Sequence, residues 1–390
     1  SAQVITPFTI RKTVTQKGGI LYLSNTASRA TPANIVQNEM PPGGTGYDNT
    51  YTNDYVDIDS DPTTFMSSSD QLNLPTCTEI TWAGLYWGAD CSTGDENFAT
   101  RSQVKLKVNS GAYQTLTADY LKDNTVGYKT YHCFKDITSI VQAGSLNDIY
   151  TVANVAVDVN GKNLFGGWTI VVIYKDNLQT MRNLTVFDGL ANVGGGGVTT
   201  VDIPISGFQT PLSGPINFEL GLVVYDGDRS LTGDQLMFKG ASAFVNLSDA
   251  IHPQSDMFNS TISKNGVLTP LRNPSYNNNL GYDANIFVPN NSAKNYIGNN
   301  AVSGIIRQTT GGEIFLTQVV TSAIDVYEPD LRSAVRVRNV THPSAANASP
   351  GDTLEYTVVG MNIGSDPSIN SYITDTIEGN AIYIPNSIDR

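Results

Sequence analysis

The stretch GGWTIVVIYKD, residues 166–176, decides the fold. In an extended backbone Trp168, Ile170, Val172 and Tyr174 share one face, and Thr169, Val171, Ile173 and Lys175 share the other. Both faces are apolar through residues 170–173, which predicts a strand covered on both sides. The β-branched residues and the short length favour this over a buried helix. Gly166-Gly167 before it and Lys175-Asp176-Asn177 after it are turn signals. Residues 218–225, FELGLVVY, read as a partner of the same kind.

Working outward, turn residues break the chain about every ten positions, the spacing of a sandwich or jelly roll. Residues 1–29 predict a hairpin about Lys17-Gly18-Gly19, and residues 80–90, ITWAGLYWGAD, another buried strand. Asn109-Ser110-Gly111 joins two alternating segments as a hairpin turn. Residues 55–61 read as a short strand and the Ser-rich 65–70 as a loop. Residues 136–143, DITSIVQA, are the best helix candidate, with Asp136 or Thr138 as cap and Gly144 as stop. Strands are further expected at 183–190, 200–205, 216–225, 236–238, 259–263, 304–307 and 314–327.

The chain has 390 residues, which predicts two or three domains. Hydrophobic residues make up 40% and charged residues only 15%, so real cores form while Asn, Thr, Ser and Gly carry the polar balance. With 35 Gly and 18 Pro spread along it, no long helix is expected. A net charge of −13 argues against nucleic-acid and anionic-membrane partners, which select for Lys and Arg. No apolar run is long enough to cross a bilayer. The start Ser1-Ala2-Gln3 reads as a mature terminus left by a cleaved signal peptide, or as an expression scar. The odd count of cysteines, Cys77, Cys91 and Cys133, permits at most one internal bridge, and Cys77–Cys133 is the expected pair because Cys77 and Cys91 flank one strand; three free thiols is the alternative.

Glu328-Pro329-Asp330 is a boundary. The expected organisation is a large β-sandwich or jelly-roll-like domain over 1–329 and an Ig-like β-sandwich repeat, incomplete, over 331–390. In the second, LEYTVVGMN should point Leu354, Tyr356 and Val358 inward, and residues 371–377 should form the next strand. Residues 351–388, GDTLEYTVVGMNIGSDPSINSYITDTIEGNAIYIPNSI, resemble the Ig-like repeat of bacterial cell-surface proteins, with Glu378 standing where that pattern has proline. The first domain resembles the N-terminal region of large Bacteroidetes surface proteins, including gliding-motility adhesins of the SprB type. The motifs that carry this are Tyr55 to Phe65, Leu85-Tyr86-Trp87, Lys135 to Thr138, Gly166-Gly167-Trp168, Phe187-Asp188-Gly189, Gly227-Asp228-Arg229 and Gly233-Asp234-Gln235. The resemblance implies type IX secretion, surface display, a stalk of repeats, and Thr353 and Thr376 as O-glycosylation candidates in Asp-Thr-apolar triplets.

Asp57, Asp59 and Asp61 at alternate positions would place three carboxylates on one strand face, where repulsion invites a cation. Calcium fits, since it takes several oxygen ligands in irregular geometry; a solvated acidic edge is the alternative. Asp226, Asp228 and Asp234 on YDGDRSLTGDQ are a second candidate calcium set, with Arg229 as a competing partner, and Asp158 with Asn160 is a weaker one. His132, His252 and His342 form no H-E-x-x-H, no G-x-S-x-G is present, and Gly194 to Gly197 lacks a phosphate-loop Lys. The expectation is therefore a surface adhesin and no enzyme, binding a surface glycan or a cell-surface protein; the alternatives are a scaffold docked to motility machinery and a secreted carbohydrate-active enzyme. Trp82, Trp87 and Trp168 read as core, and Tyr47, Tyr51, Tyr276 and Tyr282 as loop aromatics able to stack on sugars.

Overall fold

The computed structural model describes residues 4–31, 51–124, 129–240, 242–364, 366–368, 370–377 and 379–389. The protein is all-β, and it divides into a larger unit, Ser1–Thr210 with Gly214–Val326, and a smaller one, Pro211–Ser213 with Tyr327–Arg390.

The larger unit is built on β1 (Val4–Thr26), β2 (Glu79–Asp90), β3 (Thr130–Asp136), β4 (Gly166–Lys175), β5 (Met181–Val193), β6 (Phe218–Gly227), β7 (Gly281–Phe287) and β8 (Phe315–Asp325). These lie in the order β7-β6-β8-β5-β1-β4-β2-β3, with Tyr120–Asn124 beyond β3 and Ile262–Lys264 then Val267–Leu268 beyond β7. Neighbours run antiparallel except Ile262–Lys264 against β7. β4 sits inside, with Val171 opposite Tyr22 of β1 on one side and Gly84 of β2 on the other.

The predicted N-terminal hairpin is instead one continuous strand. β1 pairs with β5 as far as Lys17, opposite Met181, and with β4 from Gly18, opposite Lys175. Gly18 takes φ +143°, and a Cβ there would run into the Tyr174 carbonyl oxygen. The glycine pair thus marks a change of partner, where the sequence signal for a turn and for a crossing is the same.

The crossing divides the long sheet into two halves that pack face to face. Val171 and Ile173 of β4 and Trp82 and Tyr86 of β2 meet Leu184 and Val186 of β5, Val223 and Tyr225 of β6 and Val319 of β8 in one buried core. The halves approach closely at Gly167, where a Cβ would lie 2.5 Å from the Tyr282 ring. On its outer face the β4 half packs Trp168, Ile170 and Val172 against Leu106, Tyr150 and Val152 of a four-stranded sheet. The β6 half packs Leu220, Leu222 and Val224 outward against Ile203, Phe238 and Ile306 of another. The result is four layers, with both central layers covered on both faces. Each such Val, Ile or Leu contributes about 1.5–3 kcal/mol when fully buried. Residues 218–225 accordingly lie in the half facing β4 rather than beside it.

Other expectations shift locally. Residues 67–71 form a strand, Ser67–Gln71, and not a loop; Trp168 Nε1 donates to the Ser68 hydroxyl at 2.8 Å, and that hydroxyl donates to the Thr26 carbonyl at 2.9 Å, so the serines are buried and bonded. The helix spans Thr138–Ala143 and ends at Gly144. Among the described residues no helix is long and apolar enough to cross a membrane.

In the smaller unit Leu331–Asn339 pairs antiparallel with Leu354–Asn362. Asp352 secures the connection by accepting from Ser349 N, Asn339 Nδ2 and His342 Nδ1, each at 2.8 Å. Tyr356 is 52% exposed instead of turned inward, and residues 371–377 are irregular where a strand was expected, pairing with neither outer edge of this two-stranded sheet.

Two outcomes follow from the larger unit. Gly18→Ala should lower its stability by about 2 kcal/mol or more, read by urea denaturation, since the new methyl meets fixed backbone and φ stays positive. His132 lies buried under the Tyr225 ring, and burial pushes its imidazole down to about 3. The unfolded chain takes up that proton near pH 6.5, so stability is full above that pH and is lost as pH falls from about 6.5 toward 3, by about 1.4 kcal/mol per unit. Denaturation at pH 7 and pH 5 should show this loss in the native chain and a smaller one in His132→Gln.

Candidate functional site

The strongest concentration of chemistry lies where β6 runs out into YDGDRSLTGDQ. Asp226 turns the chain with φ +67°. Asp226, Asp228, Arg229 and Asp234 are all buried. Neighbouring elements add two more acids, Asp283 on β7, opposite Val224, and Glu313 just before β8. The structure therefore gathers the three loop aspartates foreseen from sequence and adds two that were not.

The acids differ in how they are satisfied. Asp283 accepts from Ser260 N at 3.0 Å, Thr261 N at 2.9 Å and Asn285 Nδ2 at 3.1 Å, and so ties a neighbouring segment to β7. Asp234 Oδ2 accepts from Met257 N at 2.6 Å and Phe258 N at 2.7 Å. Glu313 Oε1 accepts from Asp228 N at 2.5 Å. The remaining oxygens, Asp234 Oδ1 and Glu313 Oε2, are buried with no donor. The two carboxyls adjoin, so a single proton, or a cation, is what satisfies them. Burial raises the carboxyls of Asp234 and Asp283, and burial together with the charges of Asp234, Asp228 and Asp226 pushes Glu313 up to about 12.

Beside this group is a cavity of about 10 Å³, room for one water-sized body, lined by Tyr51, Asn163, Leu164, Phe165, Asp226, Asp228, Leu280 and Gly281. Its lining has no Lys, Arg, His or Cys, and its polar side chains are those of Tyr51, Asn163, Asp226 and Asp228.

Asp57, Asp59 and Asp61 do not share a strand face. The strand ends at Tyr55 and the aspartates cap a turn, with Asp59 N and Ser60 N donating to Asp57 Oδ1 and Thr63 N donating to Asp61 Oδ1. The cation that meets Asp59 is the Lys107 ammonium, at 2.8 Å, with the Tyr113 hydroxyl donating at 2.5 Å. Partial burial acts upward on Asp59, but these two donors outweigh it and hold the carboxyl at about 2. Asp158 comes together with Cys91 and Asp95, while its carboxylate accepts from Ser92 N at 3.0 Å.

The expected Cys77–Cys133 bridge is not formed. Cys77 is exposed in the turn before β2 at φ +72°, whereas Cys133 is buried in mid-strand opposite Trp87, its thiol toward the Arg101 carbonyl at 3.7 Å. Among the aromatics foreseen as sugar platforms, Tyr282 is fully buried in β7 and donates or accepts a bond with Thr169 at 2.6 Å, so it is core; Tyr51 and Tyr276 are half-buried, and Tyr47 lies outside the described residues.

A wider opening was not foreseen. A groove of about 530 Å³ is lined by Gly214, Pro215, Ile216, Asn217, Val288, Pro289, Asn290, Asn291, Ser292 and Lys294. Asn291 fixes both walls: its amide donates to the Ile216 and Ile297 carbonyls, each at 3.0 Å, and accepts from Tyr296 N at 3.2 Å. Asn217, Asn290 and Ser292 are exposed along its rim. The only sequence signal was the polar run Asn290-Asn291-Ser292 after a proline, which any loop could carry.

No family model matches the chain, and no curated protein does. Two solved structures match, one of PNGase F, a glycosylasparaginase from Flavobacterium meningosepticum, at 11% identity, and one of recombinant N-glycanase F (PNGase F), at 10%. Each match covers 78% of this chain and 96% of the other, with a TM-score of 0.23. The expectation that the chain is no enzyme is corrected here, since the solved structures that match it are of an enzyme; a TM-score of 0.23 is too low to transfer that enzyme's activity or substrate.

The thiols give a direct check. In the native state one equivalent of a maleimide reagent should react, at Cys77, and three should react in denaturant, as counted by intact mass; a native protein with no reactive thiol would restore the bridge.

Proposed function

We propose that the protein works at a surface outside the cell, where the larger unit holds a glycan in the groove between residues 214–217 and 288–294 and the smaller unit belongs to a stalk. The observation that carries this reading is the groove itself. Its volume of about 530 Å³ lies in the range of ligand sites, and its walls are held rigid by Asn291. Its rim offers Asn217, Asn290 and Ser292, groups that both donate and accept and so suit sugar hydroxyls, and Pro215 and Pro289 in its lining add apolar surface for a sugar ring.

Export by type IX secretion, a role in gliding or attachment, and a cell-surface protein as glycan carrier belong to the same reading and rest on the resemblance of the motifs. Thr353 and Thr376 are exposed, as acceptors of O-glycosylation must be.

A glycan array with the full chain tests the proposal. Binding of a glycan class, weakened at least about tenfold by Ser292→Trp at unchanged melting temperature, is the expected result; one factor of ten is about 1.4 kcal/mol. No glycan binding, or binding untouched by filling the groove, overturns it. Release of sugar from a bound glycan would make the groove an active site.

A further inference from the structure

We infer that the groove between residues 214–217 and 288–294 takes an anionic glycan, whose carboxylate or sulfate is met by Lys294, Asn290 and Ser292, and that Lys294 is the residue that selects it. The inference rests on the reading of the groove as a glycan site and adds the chemical class of the sugar.

Three observations converge. The first is charge. Lys294 is the one charged side chain in the lining, which holds no Asp or Glu. It is half-buried, and its ammonium donates to a neutral acceptor, Asn299 Oδ1, with no carboxylate paired to it among the described residues. An ammonium carries three donors, so two remain for a ligand. The carboxylate behind Asn217, that of Asp325, is already met by the Arg182 guanidinium at 3.1 Å.

The second observation is the balance of donors and acceptors. Asn290 accepts from Ser292 N on its Oδ1 at 3.0 Å, which leaves its NH2 as the open end. The Ser292 hydroxyl is exposed on the same wall. That wall therefore presents an amide NH2, a hydroxyl and an ammonium, the groups an anion needs. Asn217 on the other wall spends its NH2 on Asp325 at 2.9 Å and so offers its oxygen, which suits a sugar hydroxyl.

The third is placement. Lys294 takes φ +56°, and its N–H donates to the Asn291 carbonyl at 2.8 Å, so a turn fixes where its side chain starts. Asn299, which holds the ammonium, donates in turn to the Gly214 carbonyl at 3.3 Å and so ties the lysine to the opposite wall. A cation held in this way has less freedom to lose when a ligand binds. The net charge of −13 repels anions at long range, so a local cation decides whether an anionic sugar is accepted.

The test titrates the full chain by calorimetry with a uronic-acid oligosaccharide, a sulfated oligosaccharide and the neutral parent of each. At least one anionic ligand should bind at least about tenfold more tightly than its neutral parent, and the one that does names the group recognised. Lys294→Gln, which keeps a donor for Asn299 and drops the charge, should remove that preference and leave the neutral parent within about twofold; Lys294→Arg should keep it. Neutral parents that bind as tightly, or a preference that survives Lys294→Gln, overturn the inference and leave the groove a glycan site. Failure of all four ligands, with no binding on the glycan array, overturns the reading of the groove and the inference with it. Should Lys294→Gln not fold, salt decides on the native chain: raising NaCl from about 0.05 M to about 0.5 M should weaken the anionic ligand at least about fivefold and the neutral parent little, and equal responses overturn the inference.

Discussion

The larger unit depends on a single strand that belongs to two layers. β1 gives its first part to β5 and its second to β4, and the change of partner occurs between Lys17 and Gly18. Everything central is placed by that crossing. It sets β4 and β2 in one half and β5, β8 and β6 in the other, and lets the two close over a shared core of Val171, Ile173, Leu184 and Val319. The polar contacts inside that core are spent on registering the halves: the Tyr22 hydroxyl meets Thr321 at 2.8 Å, and Thr169 meets Tyr282 at 2.6 Å. A neutral hydrogen bond of this sort contributes about 1 kcal/mol net, so their value here is orientation more than energy.

Against this apolar frame the end of β6 stands out. Buried acids elsewhere are bonded into the fold: Asp188 takes the Arg11 guanidinium at 2.6 Å and the Tyr86 hydroxyl at 3.1 Å. At Glu313 and Asp234 the bonding stops one oxygen short. Other buried polar atoms, Asp249 Oδ2 and Gln308 Nε2 among them, share that condition, so what sets the end of β6 apart is the number of carboxylates gathered there, Asp226, Asp228, Asp234, Asp283 and Glu313.

Much of the architecture was legible in the sequence and some was not, for identifiable reasons. The strand at 166–176 could be read because both of its faces are apolar, a pattern a wet strand cannot carry. The crossing at Gly18 could not, because a turn and a change of partner both ask for glycine. Ser67 to Ser69 looked like a loop because composition does not reveal that Trp168 and Thr26 will bond the Ser68 hydroxyl and Asp57 and Asp59 that of Ser67. The aspartates at 226, 228 and 234 were visible as a cluster, since they share one loop. Glu313 was not, because its nearness to them arises from pairing of β8 with β6, far apart in the chain. The spacing of Asp57, Asp59 and Asp61 misled in the other direction: alternate acids share a face only if the backbone is extended, and here it turns.

The crossing strand has a mechanical consequence for a protein read as working at a surface. Tension drawn along β1 cannot peel it away one hydrogen bond at a time from a single neighbour. The load passes in shear, first through the β5 ladder and then through the β4 ladder, into both middle layers. Rupture under force is governed by the rate of that concerted step and not by the equilibrium stability, so Val4–Thr26 would act as the rivet that keeps the four layers from being stripped in sequence.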